Sequence, residues 1–134
     1  MSANEKQIAG SHYRAGVQHW DLMAYNHVGY FEAQITKYIT RWKKKNGVQD
    51  VEKAIHYHEK LTELLNDGVL QIPIHGELKL LEEFKFTNEL TDLEYTIFYL
   101  LLTYSTMDEL TRVGILLQHL LAMARTREVI AEGC

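Results

Sequence analysis

The sequence predicts an all-α protein, a small helical bundle of about five helices built on two helical hairpins. Three observations carry that expectation. Between Phe31 and Leu65 apolar residues recur at intervals of three and four on both sides of an Asn46-Gly47 break. Thr91 with Glu94, and Thr106 with Glu109, each match a capping box at the start of an apolar run. The alternation that marks strands is confined to a short stretch near residues 70–80.

Taken in order, residues 1–9 are polar, and Gly10 to Gly16 form a loop that carries His12, Tyr13 and Arg14. Such side chains on a surface loop more often serve a site than a core. The plainer account has Tyr13 plugging the end of the bundle with His12 and Arg14 solvated. Val17 to Val28 then reads as a first helix, with Val17, Trp20, Ala24, His27 and Val28 on one side and Gln18, His19 and Asp21 on its polar sides. Gly29 is the expected stop.

The next stretch carries the chemistry. Phe31, Ile35, Tyr38, Ile39 and Trp42 form a buried face, while Lys37, Arg41 and Lys44 follow a second line at intervals of four and three. Asn46-Gly47 ends the helix, because a left-handed residue is least strained as Gly, and Lys43, Lys44 and Lys45 suit the negative end of the helix dipole. From Asp50 onward Val51, Ala54, Ile55, His58, Leu61 and Leu65 make a new apolar face, and Asp50, Lys53, Tyr57 and Lys60 a polar one. Asp67-Gly68 closes that helix. The hairpin therefore has a polar, mostly positive seam. Arg on a rigid helix can bind phosphate oxygens by planar paired hydrogen bonds, and Lys as a movable point charge. A merely solvated face is the bland account of the same pattern.

Between Val69 and Phe86 the pattern changes: Leu70, Ile72 and Ile74 alternate, Pro73 excludes a helix interior, and Leu78 and Leu80 alternate again after His75-Gly76. A short two-stranded β-ribbon is one outcome. The other is an extended linker followed by a short helix on Leu78, Leu81 and Phe84. Two capped helices finish the chain, about Asp92 to Tyr104 and about Met107 to Arg127, and the Ser105-Thr106 link folds them back on each other. The first is apolar nearly all round, as a central core element or a subunit interface would be. The tail from Glu128 to Cys134 is expected to fray.

At 134 residues, with 46% apolar and 24% charged residues, the chain has the composition of one ordinary globular domain, residues 1–134. A net charge of −4 argues against nucleic-acid binding through overall basicity. The lone cysteine, Cys134, forms no disulfide within the chain, and the MSANEKQIAG start lacks a secretory apolar region, so a cytoplasmic location is expected. The most apolar run, Tyr95 to Tyr104, is far shorter than the roughly 20 residues needed to span a bilayer, and no membrane partner is expected.

Motifs exclude several chemistries. Among seven histidines none makes an HxxxH pair, CxxC is missing, and His56 and His58 diverge, so no metal ligands are assigned; His56, His58 and His119 read as surface or interface residues. Neither a P-loop nor GxGxxG occurs, and Cys134 on a loose end is a poor nucleophile. Glu59 with Glu63, and Glu89 with Asp92, offer paired carboxylates of the kind that hold magnesium in all-α nucleoside triphosphate pyrophosphatases, though the first interval is not the one that those enzymes use.

The ordered set His12-Tyr13, Ile35, Lys37-Tyr38-Ile39, Arg41, Lys44, Gly47, Asp50-Val51-Glu52-Lys53-Ala54 and Tyr57 resembles the pattern of a family of small bacteriophage proteins, the phage nucleotide kinase-like or SaV-like family. The resemblance covers residues 11–65, a family-like helical core, and leaves residues 69–134 as an unrecognised C-terminal extension. Family members often carry Gly-Asn where this chain has Ala33-Gln34, so Gln34 either replaces that Asn or the contact is lost.

The resemblance implies a nucleoside monophosphate kinase without a P-loop, using ATP or another nucleoside triphosphate as phosphoryl donor, and a homo-oligomer in the cytoplasm of an infected bacterium. Magnesium is allowed but required by no motif. On this reading Lys37, Arg41 and Asp50 are catalytic, while His12, Tyr13, Arg14, Trp20, Gln34, Lys44, Lys53 and Tyr57 bind substrate. The cations would neutralise phosphoryl oxygens, the aromatic groups would stack on a base or bond a sugar, and Asp50 would orient a lysine, bind magnesium or cap its helix. Two other readings stay open: a non-catalytic phage protein that binds a nucleotide or a host protein and alters host metabolism or defence, and a magnesium-dependent pyrophosphatase.

Overall fold

The computed structural model describes residues 16–133. They form an all-α bundle: α1 (His19–Tyr25), α2 (Tyr30–Arg41), α3 (Val48–Asn66), α4 (Leu81–Thr87), α5 (Asp92–Thr103) and α6 (Met107–Glu132). His12, Tyr13, Arg14 and Cys134 lie outside the described residues.

The two hairpins of the bundle are α2 with α3 and α5 with α6, and they dock as α6 on α3 and α5 on α2. Ile35, Ile39, Val51, Ala54 and Leu61 from the first hairpin meet Ile97, Phe98, Leu101, Leu110, Val113 and Leu117 from the second in one apolar core. At the first turn the Gly47 amide donates to the Trp42 carbonyl at 2.9 Å. Gly47 itself sits at φ 54° and ψ −123°, a conformation that side chains disfavour. At α5 the capping box is complete: Glu94 N–H donates to Thr91 Oγ1 at 3.2 Å and Thr91 N–H to Glu94 Oε1 at 2.8 Å. At α6 only half of it forms. The Glu109 amide still donates to Thr106 Oγ1 at 3.2 Å, but its carboxylate reaches past Thr106 to the Ser105 amide at 3.0 Å.

Three expectations about the elements are corrected, and one left open is decided. Helix α1 turns Leu22 inward, fully buried, and leaves Trp20 exposed, so the face named from spacing is not the one that packs. That helix is capped by Asn26 rather than ended by Gly29, which instead starts α2. Of the two outcomes open near 70–80, the extended linker followed by a short helix, α4, is the one that forms, with no β-ribbon among the described residues; Leu70, Ile72, Leu78 and Leu80 pack against the core, and side chains pin the backbone. Asn26 donates to the Lys79 carbonyl at 2.7 Å and accepts the Lys79 amide at 2.8 Å, and His75 Nε2–H donates to the Tyr104 carbonyl at 2.7 Å. The tail does not fray at Glu128, because nothing in Glu128 to Glu132 breaks a helix, and α6 runs on to a Gly133 cap.

The C-terminal half also holds the first hairpin through buried polar groups. The phenol of Tyr104 donates to Glu32 Oε2 at 2.6 Å. Trp42 Nε1–H donates to Glu94 Oε2 at 2.7 Å, and Lys43 Nζ lies 3.0 Å from Glu94 Oε1. His58, read both on the apolar face of its helix and as a surface or interface residue, follows the first reading: it is buried between α3 and α6, where it donates to the Leu110 carbonyl at 2.7 Å. Tyr104 and the Leu110 carbonyl thus supply the partners that let α2 bury Glu32 and α3 bury His58.

Candidate functional site

The positive seam converges on one ring. Lys37 and Arg41 flank Tyr38 along α2, and Lys53 approaches from α3. Lys37 Nζ lies 5.3 Å, Lys53 Nζ 5.4 Å and the Arg41 guanidinium carbon 5.6 Å from the centre of the Tyr38 ring. The face of an aromatic ring attracts cations, which helps hold the like charges together. Tyr57 stacks on Tyr38 at 5.9 Å with an interplanar angle of 18°. Its other neighbours are Tyr30 and Phe31, whose ring centres lie 6.3 and 6.4 Å away. A hydrogen bond with the Tyr30 side chain raises the Tyr57 pKa above the usual phenol value, burial adding to it.

Of the three cations only Arg41 has an acidic neighbour among the described residues, with Asp50 Oδ2 3.4 Å from its Nε. Asp50 is fully buried, and its Oδ2 also accepts the Asn46 amide at 3.0 Å. It therefore stands behind Arg41, oriented toward neither lysine and out of reach of a ligand in solvent. Lys37 and Lys53 are exposed and make no ion pair among the described residues.

Lys37 also lines an open groove of about 540 Å³ between α1 and α2, together with His19, Trp20, Met23, Ala24, Val28 and Gln34 among others. Trp20 is 53% exposed there. His19 Nε2 lies 2.8 Å from Thr36 Oγ1, and its ring meets Phe84 edge-on at 6.3 Å. Burial, reinforced by the Lys37 charge, lowers the His19 pKa to about 4, so the groove is lined by a neutral imidazole at ordinary pH. A second cavity, beside Glu32 and His75, measures about 10 Å³ and has room for one water at most.

Trp20, Gln34 and Lys37 therefore share the groove, and Lys37, Arg41, Lys53 and Tyr57 share the Tyr38 cluster, with Lys37 common to both. Lys44 is not part of either; it is exposed in the turn that follows α2. Lys60, read on the same line as Lys53, pairs with Glu63 at 3.1 Å. Tyr38 and His19 are the residues that spacing missed as site groups. The available signal was an aromatic residue bracketed by cations one position before and three after, facing a lysine on the return helix.

The carboxylates that a pyrophosphatase needs do not come together. Glu63 is taken by Lys60 and Asp92 by Lys85 at 3.2 Å. Among the described residues no three His, Cys, Asp or Glu side chains are grouped to hold a metal ion. No helix of the described residues is long and apolar enough to cross a membrane.

Residues 8–59 match the profile of a family described as proteins of unknown function, DUF3310. That span takes in α1, α2 and the part of α3 that carries Asp50, Lys53 and Tyr57, so the matched region is the one that builds the groove and the cluster. No curated protein matches the chain, and no solved structure does.

Proposed function

We propose that the chain binds a nucleotide and transfers a phosphoryl group from a nucleoside triphosphate to a nucleoside monophosphate. The observation that carries this reading is the gathering of Lys37, Lys53 and Arg41 about the Tyr38 ring, the two ammonium groups without acidic partners among the described residues. Like charges gathered about one ring repel, and an anion seated among them relieves that repulsion. The groove adds a place for the uncharged part of the ligand: Trp20 offers an aromatic face, Gln34 an amide that both donates and accepts, and Lys37 marks where groove and cluster meet.

In the transfer, an oxygen of the acceptor phosphate bonds to the donor's γ-phosphorus. The bond from that phosphorus to the β–γ bridging oxygen breaks, and its electron pair leaves on the nucleoside diphosphate. The protein's work is positioning and charge neutralisation, which Lys37, Lys53 and the planar fork of Arg41 supply. Magnesium would arrive on the nucleotide phosphates, since the described residues offer no cage of their own for it.

A non-catalytic nucleotide binder is the second reading. It is favoured by Asp50, whose complete burial leaves no carboxylate of the described residues at the cluster to take a proton. A phosphate dianion needs none, and so the transfer reading stands first. The deciding experiment incubates the protein with labelled ATP and each nucleoside monophosphate in turn and separates the products. Formation of a labelled diphosphate, lost in Lys37→Ala and Lys53→Ala with helical circular dichroism retained, supports transfer. A melting temperature raised by nucleotide without turnover supports the binder. Neither binding nor turnover across the panel removes both.

A further inference from the structure

Arg41 and Asp50 face each other in an unfinished contact. Arg41 Nε and Asp50 Oδ2 are 3.4 Å apart, close enough for charge attraction, but Nε and Asp50 Oδ1 have no hydrogen-bond partner among the described residues. One is a donor and the other belongs to a fully buried carboxylate. Buried polar groups are nearly always bonded, so a complementary pair left open side by side asks for a reason. The rest of the guanidinium supplies one. Its carbon lies over Tyr38 beside Lys37 and Lys53, and its side chain is 35% exposed, so the same planar group reaches from the buried carboxylate to the cation cluster. Asp50 cannot follow it outward, because its other bond, to the Asn46 amide, ties it to the turn that starts α3.

We infer that Asp50 is a positioning residue for Arg41: when a phosphate group seats on the Tyr38 cluster, Arg41 Nε–H closes onto the Asp50 carboxylate and the two terminal nitrogens turn to the phosphate oxygens as a pair. The inference rests on the nucleotide reading above and deepens it. Lys37 and Lys53 supply point charge whatever their rotation, whereas a guanidinium is useful as a fork only when its plane is set. Anchoring Nε sets that plane. The free protein keeps the bond open, and the ligand completes it, as commonly happens where a site tightens only around its substrate.

The test follows the Arg41 ¹⁵Nε–H resonance of the intact protein while inorganic phosphate, and then each nucleoside monophosphate, is added. Closure predicts a downfield shift of that proton and slower exchange with water, both absent in Asp50→Asn. The kinetic arm measures Asp50→Asn, Arg41→Lys and the double variant. Positioning predicts that each single change lowers kcat at least tenfold with KM within about threefold, because the two lysines still bind, and that the double variant is no worse than either single one. An unshifted Nε–H in a protein whose phosphate affinity still depends on Lys37 overturns the inference and leaves the nucleotide reading intact. Singles whose effects multiply overturn it too. A protein that binds neither phosphate nor any nucleotide overturns both. Should Asp50→Asn fail to fold, the wild-type resonance and Arg41→Lys decide alone.

Discussion

Trp42 and Glu94 stand 2.7 Å apart, indole nitrogen to carboxylate oxygen, across the joint between the two hairpins. The residue after the last turn of α2 thereby bonds the carboxylate oxygen that the N-terminal box of α5 leaves over. Burying a carboxylate is costly unless its oxygens are bonded, and here Trp42, Lys43 and the Thr91 amide serve it.

That dependence gives a first prediction. Trp42→Phe keeps an aromatic ring in the core, though a smaller one, and deletes the donor, leaving a Glu94 oxygen unpaired. Stability should fall by about 2 kcal/mol, the penalty for such a group, as read from urea unfolding. An unchanged midpoint would show that water reaches Glu94.

Tyr104→Phe makes a parallel cut at the other end of α2. The Tyr104 phenol donates to Glu32, and burial, with that bond second, pushes its pKa well above the usual phenol value. Removing the hydroxyl should lower stability by about 1–3 kcal/mol. The Glu32→Gln, Tyr104→Phe double variant should recover part of that loss, since an amide tolerates burial better than an unpaired carboxylate.

The contact of α3 with α6 depends on a missing methyl. A Cβ added at Gly114 would lie 2.7 Å from His58 Cε1 and 3.4 Å from its Nδ1. Gly→Ala inside an exposed helix normally gains about 1 kcal/mol, but here the overpacking should outweigh it, for a net loss of about 1–2 kcal/mol. In a His58→Ala background the same change should become stabilising. Thermal melts of the four proteins check the reversal of sign.

Acid should loosen the joint between α1 and α2. Burial, then Lys37, puts the folded-state pKa of His19 at about 4 against an ordinary 6.5, so the unfolded chain binds the proton first. The stability contributed by neutral His19 is fully present above pH 6.5 and is lost as pH falls through 4, on the order of 3 kcal/mol in all. His19→Gln should therefore show a shallower fall in unfolding free energy between those values than the wild type. A residual slope should remain, because burial lowers the His58 pKa in the same direction.

Much of the architecture follows from short-range rules. Helix periodicity, the Asn46-Gly47 stop and the Thr91 and Thr106 caps each involve residues within about one turn of one another, which is why α2, α3, α5 and the start of α6 can be read directly from the chain. Lys37 and Arg41 could be marked as a cationic edge for the same reason: i and i+4 share a helix face. Spacing alone did not reveal that Tyr38 lies between them as the ring on which Lys53 also converges, because that needs the register of α3 against α2.

The remaining choices were made in three dimensions. Which side of α1 turns inward depends on what α4 presents to it, and so Leu22, not Trp20, is buried. The stretch before α4 stays extended without a strand partner because Asn26 and the Tyr104 carbonyl, distant in sequence, occupy its polar groups. Periodicity by itself determined that the chain forms paired amphipathic helices with cations along one edge. Tertiary packing decided which side chains meet across those helices, since burying Glu32 and Glu94 draws on Tyr104 and Trp42, partners that no local pattern can supply.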